Sequence, residues 1–134
     1  MIGRPVADEQ NVYFVSLDNV LRALNRRTGN QRWKRTLPLR PRTGPVRFDD
    51  TLIVSGVAPT LRIYSMKDGT PRGDAASEGE LAAPAYVLPD AESPTLIVVT
   101  RHVEKGAMLA SLSRATEPPP VPQPDATPVA PPKP

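Results

Sequence analysis

The chain has 134 residues, a net charge of +3 and no cysteine. That length allows one small domain, the absence of thiols excludes disulfides and thiolate chemistry, and so small a charge does not by itself call for a nucleic-acid or membrane partner. No apolar run approaches the roughly 18–20 residues of a membrane helix, and Met1-Ile2-Gly3-Arg4-Pro5-Val6 lacks the basic and apolar regions of a signal peptide.

In chain order, Pro5-Val6 is followed by the apolar run Val12-Tyr13-Phe14-Val15-Ser16, then Val20-Leu21-Arg22-Ala23-Leu24, a Thr28-Gly29 turn and Trp33. The same series begins again at Pro45-Val46. Leu52-Ile53-Val54-Ser55-Gly56 and Leu61-Arg62-Ile63-Tyr64 follow, then a turn at Asp68-Gly69, with Gly73 where a second tryptophan would fall. A third series runs through Pro84-Ala85, Leu96-Ile97-Val98-Val99-Thr100 and Met108-Leu109-Ala110-Ser111-Leu112.

Short β-branched and aromatic runs bounded by Gly, Asn, Asp and Pro predict strands. Nearly continuous apolarity in the second strand of each series predicts burial on both faces, as between stacked sheets. Gly29 and Gly69 supply the positive φ of a tight hairpin. No sustained helical stripe appears, so little helix is expected. A period of about 40 residues with four short strands per unit is the signature of a β-propeller. The fold class expected is therefore all-β, a partial propeller of about three blades at about 3–42, 43–80 and 81–114, followed by a proline-rich tail over 115–134.

The hairpin Ala23-Leu24-Asn25-Arg26-Arg27-Thr28-Gly29-Asn30-Gln31-Arg32-Trp33 resembles the repeat of pyrroloquinoline-quinone (PQQ)-like propellers at Ala23, Thr28, Gly29 and Trp33. Val12-Tyr13-Phe14-Val15-Ser16-Leu17-Asp18 looks like the strand that precedes it in that family. The match weakens in the second repeat and loses its landmarks in the third. The resemblance implies that Trp33 packs between neighbouring blades. It also implies a place in the periplasm or bacterial cell envelope.

The third repeat shows three strands, about 84–88, 95–100 and 107–113, and no fourth before Glu117-Pro118-Pro119-Pro120. Closed propellers often complete the last blade from the other chain end, so the chain is expected to be a C-terminal piece of its parent. Three blades are fewer than the usual four to eight. An open arc leaves strand edges unpaired and is expected to be poorly stable alone. Glu117–Pro134 is half proline, which removes amide donors and fixes φ. It is expected to be a polyproline-II-like spacer.

His102 is the only histidine, so a metal site lacks partners, and it is read as a strand-end or loop residue. Asp49-Asp50 is read as a turn. Neither catalytic, cofactor-binding nor metal residues are assigned. Charge is the most uneven feature: residues 19–48 hold Arg22, Arg26, Arg27, Arg32, Lys34, Arg35, Arg40, Arg42 and Arg47 and no acid. Arg26, Arg27, Arg40 and Arg42 fall in turns and form the candidate patch for an anionic partner.

The leading expectation is a non-catalytic binding or scaffold module, resembling PQQ-like repeat proteins of outer-membrane assembly, without a cofactor of its own. Its expected partners are proteins and the remaining blades of the parent chain, with no nucleic acid and no transmembrane segment. The alternatives are a fragment of a PQQ-dependent quinoprotein dehydrogenase, which would bind PQQ and calcium, and a propeller sensor domain joined to another module.

Overall fold

The structure, a computed structural model, describes residues 1–89 and 94–113; position 114 and the proline-rich tail expected over 115–134 lie outside the described residues. The described residues form three four-stranded antiparallel sheets and no helix. The first blade is a meander of β1 (Ile2–Ala7), β2 (Asn11–Val15), β3 (Val20–Asn25) and β4 (Gln31–Thr36), paired in that order. The second repeats it with β5 (Val46–Phe48), β6 (Thr51–Val54), β7 (Thr60–Ser65) and β8 (Pro71–Ala76). The third holds β9 (Glu80–Leu81), β10 (Tyr86–Leu88), β11 (Thr95–His102) and β12 (Gly106–Ser113).

The third blade departs from the meander. β9 and β10 lie end to end along the same edge of β11, with β12 on its other side. The sequence places its first strand at about 84–88, whereas the ladder starts at Tyr86 and a separate two-residue strand precedes it. Pro84 has no amide to donate, so the edge is interrupted there. The other blades carry the same interruption. In the first, the register slips between Ile2 and Val6. In the second, an isolated bridge from Pro41 to Gly56 precedes β5.

Burial shows what stacking does. In the second blade Leu52, Ile53 and Val54 are all buried, because a blade covers each face. In the first blade Tyr13 and Val15 are buried, while Val12 and Phe14 on the opposite face stay partly exposed. In the third, Leu96 and Val98 are buried and Ile97 and Val99 are not. Continuous apolarity therefore marks strands built for burial on both faces, and only the middle blade of the three achieves it.

The first interface gathers Tyr13, Val15, Leu21 and Ala23 against Leu52, Val54, Tyr64 and Met66. Trp33 on β4 closes it. Its indole lies over Gly69 of the β7–β8 hairpin, where an added Cβ would come within 2.5 Å of the ring. Its Nε1–H donates to the Met66 carbonyl at 3.1 Å, and its ring centroid is 5.9 Å from that of Tyr13. Arg35, two residues on, donates from Nε to the Gly69 carbonyl at 2.8 Å. At the other edge of the same interface the backbones of Gly3 and Gly44 touch: a Cβ on Gly3 would sit 2.1 Å from the Gly44 nitrogen. The second interface packs Ile53, Leu61 and Ile63 against Leu81, Leu96 and Val98.

Gly29 and Gly69 occupy equivalent hairpins with φ of 74° and 71°, so an alanine strains both backbones alike, by about 1–2 kcal/mol. Nothing lies within 4 Å of a Cβ on Gly29. Gly69→Ala should therefore lower the urea midpoint clearly more than Gly29→Ala. Trp33→Ala should cost about 3–5 kcal/mol, through the lost contact area and the cavity left behind. Equal midpoints for the two glycine variants would mean that the indole does not bear on Gly69.

Candidate functional site: a basic cleft between the first two blades

In an antiparallel meander, successive connections lie at alternate ends of the sheet. The β1–β2 turn, the β3–β4 hairpin and their counterparts in the second blade share one end. The β2–β3 turns and the links between blades share the other. Backbone hydrogen bonds fix this arrangement, with Arg26 N donating to the Gln10 carbonyl at the first end and Leu37 N to the Asn19 carbonyl at the second.

This geometry divides the four arginines of the sequence-derived patch. Arg26 and Arg27 sit on the β3–β4 hairpin, and Arg40 and Arg42 lie beyond β4 at the opposite end. Arg42 also pairs with Glu80 of the third blade at 2.8 Å. The four do not form one surface. Asp49 and Asp50 form the β5–β6 turn, with Asp49 at a φ of 56°. His102 ends β11, half-buried, and its Nδ1 accepts from the Glu104 amide at 3.3 Å.

At the first end the two blades part around a cleft of about 470 Å³ lined by Asp8, Gln10, Asn11, Tyr13, Arg32, Arg47, Asp50, Ser65, Met66, Lys67 and Arg72. Its floor is a fixed polar network. Asp8 Oδ1 accepts from the amides of Gln10 at 2.8 Å and Asn11 at 2.6 Å, which shapes the β1–β2 turn. Asp8 Oδ2 accepts from the Tyr13 hydroxyl at 2.7 Å, and Asn11 Nδ2 donates to that hydroxyl at 3.3 Å. The carbonyl oxygen of the Asn11 side chain is buried and has no partner among the described residues. A buried acceptor left without a donor is costly, and here it borders a cleft that a ligand donor or a water can enter.

The floor's titrations follow from that network. Burial pushes the Tyr13 phenol up, and donation to Asp8 adds to it, so that it reaches about 12. For Asp8, burial works upward. The hydrogen bonds from Tyr13 and from the amides of Asn11 and Gln10 outweigh it and hold the carboxyl below its ordinary value.

The walls are cationic. Arg32, Arg47, Lys67 and Arg72 are exposed around the cleft, against the carboxylates of Asp8 and Asp50. Among the described residues none of the four stands in a salt bridge; the pairs are Arg22–Asp18, Arg42–Glu80 and Arg62–Asp74. Arg47 is held by its Nε, which donates to the Asp49 carbonyl at 3.2 Å. Such an arrangement favours a carboxylate or phosphate group over a cation or an apolar ligand. A clue was present in the sequence, since Arg32 and Arg72 occupy one repeat position, 40 residues apart. Recognising the site, however, requires both blades in place.

No protein-family model matches the chain, and no curated protein matches it. Solved structures do. BamB from Moraxella catarrhalis superposes with a TM-score of 0.58 at 20% identity, over 73% of this chain and 30% of that one. BBS1N, crystallised in complex with ARL6DN, superposes with a TM-score of 0.63 at 21% identity in a mercury-soaked crystal and 0.65 at 20% in a lead-soaked one. Those matches cover 86% of this chain and 38% and 35% of those. The chain thus spans about a third of the length of these structures. At this identity the likeness shows the fold: the chain is an arc of a β-propeller.

Because Asp8 titrates lower when folded than when unfolded, it contributes stability above its unfolded value of 3.8, and this is lost as the pH falls through its lower folded value. Tyr13→Phe removes one of the bonds that depress it. The variant should therefore show a higher Asp8 titration midpoint by carboxyl NMR. The phenol works at the other extreme, stabilising the fold below about pH 10 and ceasing to as the pH passes about 12. Ultraviolet titration of tyrosine should show one phenol near 12 in the wild type that is missing from Tyr13→Phe.

Proposed function

We propose that this chain is part of a non-catalytic β-propeller binding module of the PQQ-like repeat type, working in the bacterial cell envelope. It docks an acidic segment of a partner protein in the cleft between its first two blades. The observation that carries this reading is the convergence of Arg32, Arg47, Lys67 and Arg72 on one polar cleft. The inter-blade Trp33 and its Ala23–Trp33 hairpin support the repeat type. The likeness in fold to BamB and to BBS1N, the latter crystallised with a protein partner, supports a role in protein docking.

A surface ion pair contributes about 0.2–1 kcal/mol. Four such contacts together therefore bring about 0.8–4 kcal/mol, or roughly fourfold to several hundredfold in affinity. Replacing Arg32, Arg47, Lys67 and Arg72 with serine should weaken binding of a polyglutamate peptide by about tenfold and flatten the dependence of affinity on salt. Replacing Arg26, Arg27, Arg40 and Arg42 instead should leave most of the binding intact. The proposal fails if the cleft variant keeps the wild-type salt dependence. The non-catalytic part of the reading is tested separately with PQQ and calcium, which should give no saturable absorbance change. A saturable change would support a quinoprotein fragment.

A further inference from the structure

The two blade interfaces are built from equivalent strands, yet they are filled differently. In the first blade Trp33 pairs across the ladder with Ala23, and in the second Gly73 pairs with Ile63. The strand registers thus put Gly73 in the tryptophan's place. Arg35, which reaches across the first interface to the Gly69 carbonyl, has Ala75 as its counterpart. Two large side chains that span the first interface are therefore reduced to a hydrogen and a methyl in the second. Nothing lies within 4 Å of a Cβ built on Gly73.

A cavity of about 460 Å³ lies between the second and third blades. Ile53, Leu61, Ile63 and Ala75 form one wall and Leu96 and Leu112 the other, with Phe48 at the side. The polar rim is formed by Asp49, Asp50, Thr51 and Arg72. The volume lies within the range of small-molecule sites, about 300–1,000 Å³. Its walls are two sheet faces, and stacked sheets stand about 10 Å apart, so a flat group fits between them better than a globular one. The first interface shows which flat group this spacing accepts, namely an indole ring.

We propose that the cavity between the second and third blades is a binding site for an uncharged planar aromatic molecule of about the size of an indole. The ring lies against Ile63 and Ala75 and faces Leu96 and Leu112. On the second-blade side it covers the strand positions that Trp33 and Arg35 hold in the first blade. Burial of its apolar faces drives binding, at about 25 cal/mol per Å² of surface removed from water.

The test is a titration of the full chain with indole, followed by NMR of isotope-labelled isoleucine and leucine methyl groups. The expected result is saturable binding, with intermolecular NOEs to Ile53, Ile63, Leu96 and Leu112. Ala75→Phe, which fills the cavity from its wall, should weaken binding at least about tenfold. Leu109→Ser, on the exposed face of the third blade, should leave it unchanged. Should Ala75→Phe fail to fold, the wild-type NOE map decides. Binding that does not saturate, or NOEs confined to the exposed Tyr86 and Leu109 face, overturns the proposal.

Discussion

The contact between the Trp33 indole and Gly69 holds the first two blades as one body. A single sheet of four short strands cannot bury its apolar face alone, so each blade depends on its neighbour. Trp33 links them by area, by its Nε1–H bond to the Met66 carbonyl and by its approach to the Tyr13 ring. Glycine suits the place beneath it, because the hairpin takes a φ near 71° there and a Cβ would come within 2.5 Å of the ring. Sequence, turn geometry and packing thus meet at a pair of residues 36 positions apart in the chain.

The polar cleft depends on that contact. Tyr13 touches Trp33 with its ring and reaches Asp8 with its hydroxyl, so the residue that packs the interface also sets the cleft floor. Arg32 adjoins Trp33 on β4, while Met66 and Lys67 belong to the hairpin that receives the indole. The cations on the two sides of the cleft are therefore spaced by the apolar contact behind them. Arg32, Arg47 and Arg72 stand on strands and Lys67 on a hairpin, so the backbone of the two sheets sets the charge pattern.

Much of the fold was legible because strands repeat at a period of about 40 and glycines mark the hairpins. The second-strand runs and the Asp49–Asp50 turn followed from local chemistry and the repeat, and the inter-blade position of Trp33 from the resemblance of its hairpin to PQQ-like repeats. The charge surface was not legible in the same way. Arg26, Arg27, Arg40 and Arg42 are near one another in sequence, yet an antiparallel meander sends its successive connections to opposite ends. The cations that do converge come from two repeats, and their proximity is a property of the stacking. The break in the first strand of the third blade was also missed, because a two-residue strand such as Glu80–Leu81 leaves almost no pattern to read. Gly73 stood out as a departure from the repeat, but the space it leaves depends on where the third blade packs.

The Gly3–Gly44 approach has a further consequence. At the β1 edge the first two blades meet backbone to backbone, with no room for even a methyl between them. At the β4 edge they are held apart by the depth of an indole and the length of an arginine. Two sheets that are thin-spaced at one edge and thick-spaced at the other form a wedge, and stacked wedges curve. The side chains in an interface therefore set the pitch of the arc, and with it how many blades a ring would hold. Where Trp33 and Arg35 give way to Gly73 and Ala75, the thick edge has lost its spacer, so this short chain carries two wedges of different make.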